Sequence, residues 1–226
     1  MADLVTLDLG RAAYGPTVRL QERLREEVRT ARDERAYLLL VEHDPPVITL
    51  GRGADEAHVT VSRDRLEAMG VEVHESARGG DVTWHGPGQL VAYPILRLDL
   101  HGRDVRRYLR DLEEVLIRTL ARFGLEGKRA EGMTGVWLGR EKVAAIGVAI
   151  RRWVTWHGIA INVAECLDAF DLIVPCGIRD YGVTTLARAL GREVSVAEVK
   201  PHLVECVVEV FGFDAARPGE TPEGLA

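Results

Sequence analysis

Apolar positions follow two periods along the chain. Short runs at 4–9, 36–42, 47–50, 71–76 and 89–98 are apolar throughout or alternate, which predicts strands. Asp44-Pro45-Pro46 splits the second run from the third. From Tyr14 to about Arg35, Val18, Leu24 and Val28 recur at helical spacing among arginines and glutamates. Residues 104–123 repeat that pattern and stop at Gly124. Ser62 is placed to cap a short helix ending near Gly70. The middle of the chain is hairpin-like, with strand patterns at 135–138, 142–153 and 155–163 and a turn at Gly139-Arg140. Ser195 and Glu198 form a capping-box pattern for a last helix to about Phe211, with a bend or restart expected near Pro201. From Arg217 the chain is rich in Pro, Gly and Glu and reads as a mobile tail. Consecutive strands with a few helices predict one α+β domain over 1–216, its mixed, mainly antiparallel sheet packed with helices, followed by the 217–226 tail.

Composition narrows this only slightly. The 226 residues are 46% hydrophobic and 28% charged, ordinary for a globular chain. A formal charge of -6 gives no global basic field, so a nucleic-acid partner is not expected. The longest apolar run, near 143–150, is too short to span a bilayer, and Met1-Ala2-Asp3-Leu4 does not open a signal peptide. Cys166, Cys176 and Cys206 are odd in number and widely spaced; neither a zinc site nor a disulfide framework is expected, and a reducing cytoplasm fits best. Lysine occurs only at 128, 142 and 200 in a chain otherwise served by arginine. Unlike arginine, lysine can lose its proton when desolvated.

Two segments invite chemistry. Cys176 lies in Pro175-Cys176-Gly177, after the apolar Leu172-Ile173-Val174. Proline limits the backbone before the thiol and glycine admits a close substrate. On those residues alone, a small buried hydrophobe is the stronger reading. Arg78-Gly79-Gly80-Asp81-Val82-Thr83-Trp84-His85-Gly86-Pro87-Gly88-Gln89 alternates permissive and rigid positions. It describes either a tight hairpin or a loop whose amides face a ligand. It is neither a phosphate loop nor a dinucleotide fingerprint.

That same segment resembles the signature of the lipoyl(octanoyl) transferases. Glu42-His43-Asp44-Pro45-Pro46-Val47-Ile48-Thr49-Leu50-Gly51 is similar to the family's early motif. Gly135-Val136-Trp137, Lys142-Val143-Ala144-Ala145-Ile146-Gly147 and Trp156-His157-Gly158-Ile159-Ala160-Ile161-Asn162-Val163 resemble its central hairpins. Ile173-Val174-Pro175-Cys176-Gly177-Ile178 resembles its nucleophile segment, and the match runs from about Val5 to Phe211.

The resemblance implies a fold like the catalytic domain of biotin and lipoate protein ligases. It implies transfer of an octanoyl or lipoyl group from acyl carrier protein to a lysine of a lipoyl domain, the first step of endogenous protein lipoylation. Acceptors would be the lipoyl domains of 2-oxoacid dehydrogenase complexes and the glycine cleavage H protein. No cofactor is expected: the donor is already a thioester, carried on the phosphopantetheine of its carrier, and ATP is unnecessary. Cys176 would carry the acyl group as a thioester, with Lys142 beside it lowering its pKa. Arg78, Gly79, Gly80, Asp81, Val82, Thr83, Trp84 and His85 would line the acyl site, with Ala145, Ile146, Gly147, Gly158, Ile159 and Ala160. The chemistry agrees: a free thiol titrates near ~8.5, and a neighbouring cation stabilises the attacking thiolate. His85 and His157 either polarise the thioester or position a lysine amine, or are pocket walls satisfied by backbone. His43, before the proline turn, reads as structural. Arg140, Arg151 and Arg152 flank the Lys142 hairpin as a candidate basic patch for an acidic carrier. Three other readings compete: an ATP-dependent ligase on the same fold, a cysteine hydrolase using Cys176 with His85 or His157, and a non-enzymatic carrier-binding module.

Overall fold

The computed structural model describes residues 3–164, 166–174 and 182–222. Strand β1 (Leu4–Ala12) leads through helix α1 (Tyr14–Thr30) to β2 (Ala36–His43) and β3 (Val47–Leu50). Helix α2 (Arg63–Ala68), β4 (Glu72–Glu75), β5 (Val82–His85), β6 (Gln89–Ile95) and helix α3 (Val105–Ala121) follow. A hairpin region carries β7 (Val136–Leu138), β8 (Glu141–Arg151) and β9 (Val154–Asn162). Then come β10 (Gly182–Val183), α4 (Leu186–Leu190), α5 (Val196–Phe211) and β11 (Ala216–Pro218).

Among the described residues the large sheet has the order β10-β8-β9-β6-β2-β1-β11, with β7 also paired to β8. The β8, β9, β6 and β2 neighbours are antiparallel, as is β7 on β8. The β1–β2, β1–β11 and β8–β10 pairs are parallel. The expected α+β architecture with a mixed, mainly antiparallel sheet is therefore found. Helices cover both faces. Leu38, Leu40, Leu90, Ile159 and Ile161 pack with Leu112 and Leu116 of α3 and Leu203 and Val207 of α5. Leu39, Val41, Val91, Tyr93 and Ala160 pack on the other face with Leu20, Leu24 and Val28 of α1. Burial on both faces explains why β2 reads as a nearly continuous apolar run, and why β9 is buried along its whole length.

Several local expectations need correction. Helix α1 stops at Thr30, not near Arg35, because 31–35 offers no apolar face to bury. Ser62 stands at the α2 N-cap, but its side chain makes no capping bond. At α5, Ser195 does cap, accepting from Glu198 N at 3.2 Å, whereas the Glu198 carboxylate turns to Arg192 at 2.7 Å. Pro201 does not interrupt α5. It sits near the helix start, and the carbonyl it leaves unbonded belongs to exposed Ala197, where water can serve it. The segment expected to be a mobile tail begins as a strand. Arg217 and Pro218 pair with Val5 and Thr6, and Gly219 N donates to Thr6 O at 2.8 Å. The glycine-rich segment, read as a tight hairpin or a ligand-facing loop, contains strand β5, which pairs with β3 in a second sheet of order β4-β3-β5.

Candidate active site

The small sheet leans its glycine-rich end on the large one. Arg52 N donates to Arg78 O at 3.0 Å and Gly53 N to Gly80 O at 3.1 Å, stitching the loop to the turn after β3. On its other side Gly79 N donates to Val148 O of β8 at 2.8 Å, so this amide faces a strand and not a ligand. Gly80 takes φ +89°, and a Cβ on Gly51 would run into the Gly80 carbonyl; both positions require glycine.

Between loop and hairpin lies a cavity of about 360 Å³. Ala145, Ile146 and Gly147 of β8 and Gly158, Ile159 and Ala160 of β9 form one wall. Register puts Ala145 opposite Ala160 and Gly147 opposite Gly158, so small residues meet in pairs. The Arg78–Thr83 stretch and His85 form the opposing wall, and Lys142 also lines the cavity. Trp84 does not. Alternation along β5 turns its ring into a separate apolar cluster, 5.6 Å from that of Phe170. His157 lines the cavity, as its reading as a pocket histidine implies; Tyr14, Val91, Tyr93, Leu109, Met133 and Thr134 line it too and carry no such signal in the sequence.

Lys142 Nζ lies 5.2 Å from the Trp137 ring centroid. Gly135, with φ +136°, gives it room: a Cβ there would come within 2.7 Å of Lys142 Cε. Cys176 lies outside the described residues. The chain before it is fixed by Val174 N donating to His58 O at 2.7 Å. The chain after it returns as β10, with Gly182 opposite Glu141 and Val183 opposite Lys142.

The loop-side wall is polar yet buried. Arg78 is 7% exposed; Nη2 donates to Thr49 O at 2.7 Å, and Nε donates to Thr49 Oγ1 at 3.0 Å. His43 donates from Nδ1 to Ala12 O at 3.1 Å and accepts from the Tyr93 hydroxyl at Nε2, 2.7 Å. Burial pushes its pKa down to about 4, and this histidine is structural as expected. Burial pushes His85 and His157 down to about 3, with neighbouring His43 adding to the effect at His85 and Arg78 at His157. Both are neutral near pH 7 and too weakly basic to hold a proton there. His157 takes φ +56° inside β9, with its backbone N donating to Gln21 Oε1 at 2.8 Å. The three arginines expected to form one patch do not. Arg140 and Arg151 stand at opposite ends of β8, about 35 Å apart by strand rise. Arg151 and Arg152 instead cluster with Arg25 and Arg29 of α1. Among the described residues no His, Cys, Asp and Glu group could hold a metal ion, and no helix is long and apolar enough to cross a membrane.

A mixed sheet with helices on both faces and a cavity over its hairpin edge defines the catalytic-domain fold of the lipoate and biotin protein ligases. A bipartite lipoate protein ligase from Thermoplasma acidophilum superposes with a TM-score of 0.81 at 18% identity, over 99% of this chain and 89% of that one. Lipoate-protein ligase A bound with ATP superposes with a TM-score of 0.78 at 19% identity, over 98% and 90%. The chain belongs to the lipoyl protein ligase A/B catalytic domain family, whose model matches residues 14–208. It is 49% identical to an octanoyltransferase of Chloroflexus aurantiacus over 95% of this chain and 96% of that one. It is 54% identical to an octanoyltransferase of Rubrobacter xylanophilus over 77% and 79%. The protein is an enzyme of the acyltransferase class.

Proposed function

We propose that the protein moves an octanoyl group from acyl carrier protein to a lysine of a lipoyl domain, through a thioester on Cys176. The observation that carries this reading is the cavity itself. Small residues paired across β8 and β9 line it with little side-chain bulk, and Lys142 lies on the same cavity. An apolar chain entering it gains about 0.8 kcal/mol per buried methylene. The anchors on either side of the cysteine support its acting beside Lys142, because β10 returns directly against that residue. Lys142 supplies the cation that favours thiolate. Exchange of the acyl group between thiols is nearly neutral and passage to an amine is downhill, so no ATP is consumed.

Intact-protein mass spectrometry after mixing with octanoyl-acyl carrier protein tests the proposal. The wild type gains one octanoyl group and Cys176→Ser does not; Lys142→Ala acquires it more slowly, with the pH–rate curve moved upward. An adduct that survives Cys176→Ser at normal yield overturns the thioester. Adenylate formation from free octanoate and ATP would instead identify a ligase, and release of octanoate without an acceptor a hydrolase.

A further inference from the structure

A run of buried amide contacts determines where one proton sits. Asn162 Nδ2 donates to Thr184 O at 3.1 Å. A backbone carbonyl only accepts, so this bond orients the Asn162 amide. Its Oδ1 then accepts from Gln89 Nε2 at 2.9 Å, which turns Gln89 Oε1 toward His85 Nδ1 at 2.6 Å. An amide oxygen cannot donate, so Nδ1 carries the hydrogen. Burial keeps the ring neutral, and Nε2 is left with a lone pair. His85 lines the cavity, and no described residue bonds its Nε2. The relay ends beside Lys142: Thr184, whose carbonyl anchors it, donates its own N to Lys142 O at 3.0 Å.

We propose that Gln89 and Asn162 are positioning residues that hold His85 as the Nδ1–H tautomer, so that its Nε2 accepts an N–H from the attacking lysine amine. The inference rests on the acyl-transfer reading above. An acyl chain has no polar atoms, and a thioester carbonyl only accepts; neither can pair with a lone pair. The attacking amine is the reacting group that brings N–H. Amides of a pantetheine arm also do, but they lie beyond the sulfur, away from the acyl chain. In the step itself the amine nitrogen bonds to the carbonyl carbon and the C–S bond breaks. The sulfur leaves with the electron pair, and the proton shed by nitrogen ends on that sulfur. His85 orients the amine and keeps no proton.

The test separates the two half-reactions. Octanoyl uptake from acyl carrier protein and its chase onto a lipoyl domain are timed for wild type, Gln89→Leu and Gln89→Glu, and the imidazole ¹⁵N shifts of His85 are recorded. In the wild type the shifts should show hydrogen on Nδ1. Gln89→Leu should lose that preference, keep uptake within about twofold and slow the chase roughly tenfold, the worth of one hydrogen bond. Gln89→Glu retains an acceptor for Nδ1 and restores the chase at high pH. Its carboxylate also raises the imidazole pKa against burial and the opposing effects of His43, Arg78 and His157, so the chase should acquire an acid limb absent from the wild type. Hydrogen on Nε2 in the wild type, or an equal chase in Gln89→Leu, overturns the proposal. If Gln89→Leu does not fold, the wild-type shifts and the Gln89→Glu limb still decide. Wild type that takes up no octanoyl removes the acyl-transfer reading itself; wild type that takes it up while Gln89→Leu chases normally removes only the relay.

Discussion

The two walls of the cavity are built by opposite means. The β8–β9 wall works by subtraction: Gly147 and Gly158 stand opposite each other where neighbouring chain comes too close for a Cβ. The loop-side wall works by saturation: Arg78 and His85 are large, polar and buried, and each is bonded to a neighbour, as is His43 packed beside His85. The first should fail when volume is added, the second when charge is added.

The largest effect is expected on the subtractive wall. A Cβ on Gly158 would run into the Ala92 carbonyl and approach Pro94 Cδ to 2.7 Å, and backbone cannot step aside. Gly158→Ala should lose about 3 kcal/mol in urea unfolding. Gly147→Ala meets the Arg78 stem at 2.9 Å, with the Gly79 carbonyl oxygen next at 3.4 Å; a side-chain stem can give by a few tenths of an ångström even with its guanidinium bonded, so it should lose about 1 kcal/mol. Equal losses would break the distinction between backbone and side-chain neighbours.

An intermediate effect is expected from pH on three buried histidines: His85 on the loop-side wall, His43 beside it and His157 on β9. His43, pushed down to about 4, and His85 and His157, pushed down to about 3, are neutral when folded. Unfolded, each titrates near about 6.5. From about pH 6.5 down to these values the unfolded chain binds more protons, so stability falls as pH falls. The slope is at most about 1.4 kcal/mol per pH unit for each histidine. Urea midpoints at pH 5 and pH 7 measure it. A flat stability would show that the wall tolerates charge. The loss from Gly158→Ala should be the same at both pH values.

The smallest effect sharpens the boundary of the wall. Trp84 shares β5 with His85 but faces the other way, and no described residue bonds its buried Nε1. Trp84→Phe should change stability by no more than about 1 kcal/mol, because the indole N–H it removes is already unsatisfied. Octanoyl transfer should keep its rate. A marked loss of transfer would return Trp84 to the cavity.

Much of this site was legible along the chain. The motif segments around Arg78, Lys142 and Gly158 meet at one cavity, and i,i+2 spacing at Ala145/Gly147 and Gly158/Ala160 marks residues on one strand face. Where the reading went wrong, it ignored the same geometry. Alternation along β5 separates Trp84 from His85, and the length of β8 separates Arg140 from Arg151. Tyr14 and Tyr93 gave no local signal, because only the stacking of α1 and β6 against the small sheet brings them to the cavity. The start of the tail was misread because its order comes from β1, far away in sequence. The amide relay was invisible for the same reason. Gln89 and Asn162 meet only through the pairing of β6 with β9, and Thr184 reaches them only because the chain after β10 is held against Lys142.

The bond from Gly79 N to Val148 O has a further consequence, for solubility. Beyond the short reach of β7 and β10, the outer side of β8 would present unpaired backbone groups, a template for strand addition by another molecule. The glycine-rich loop shields that edge. A ligand, truncation or substitution that lifts the loop therefore does more than open the cavity: it exposes an adhesive border, and self-association would accompany the loss of turnover.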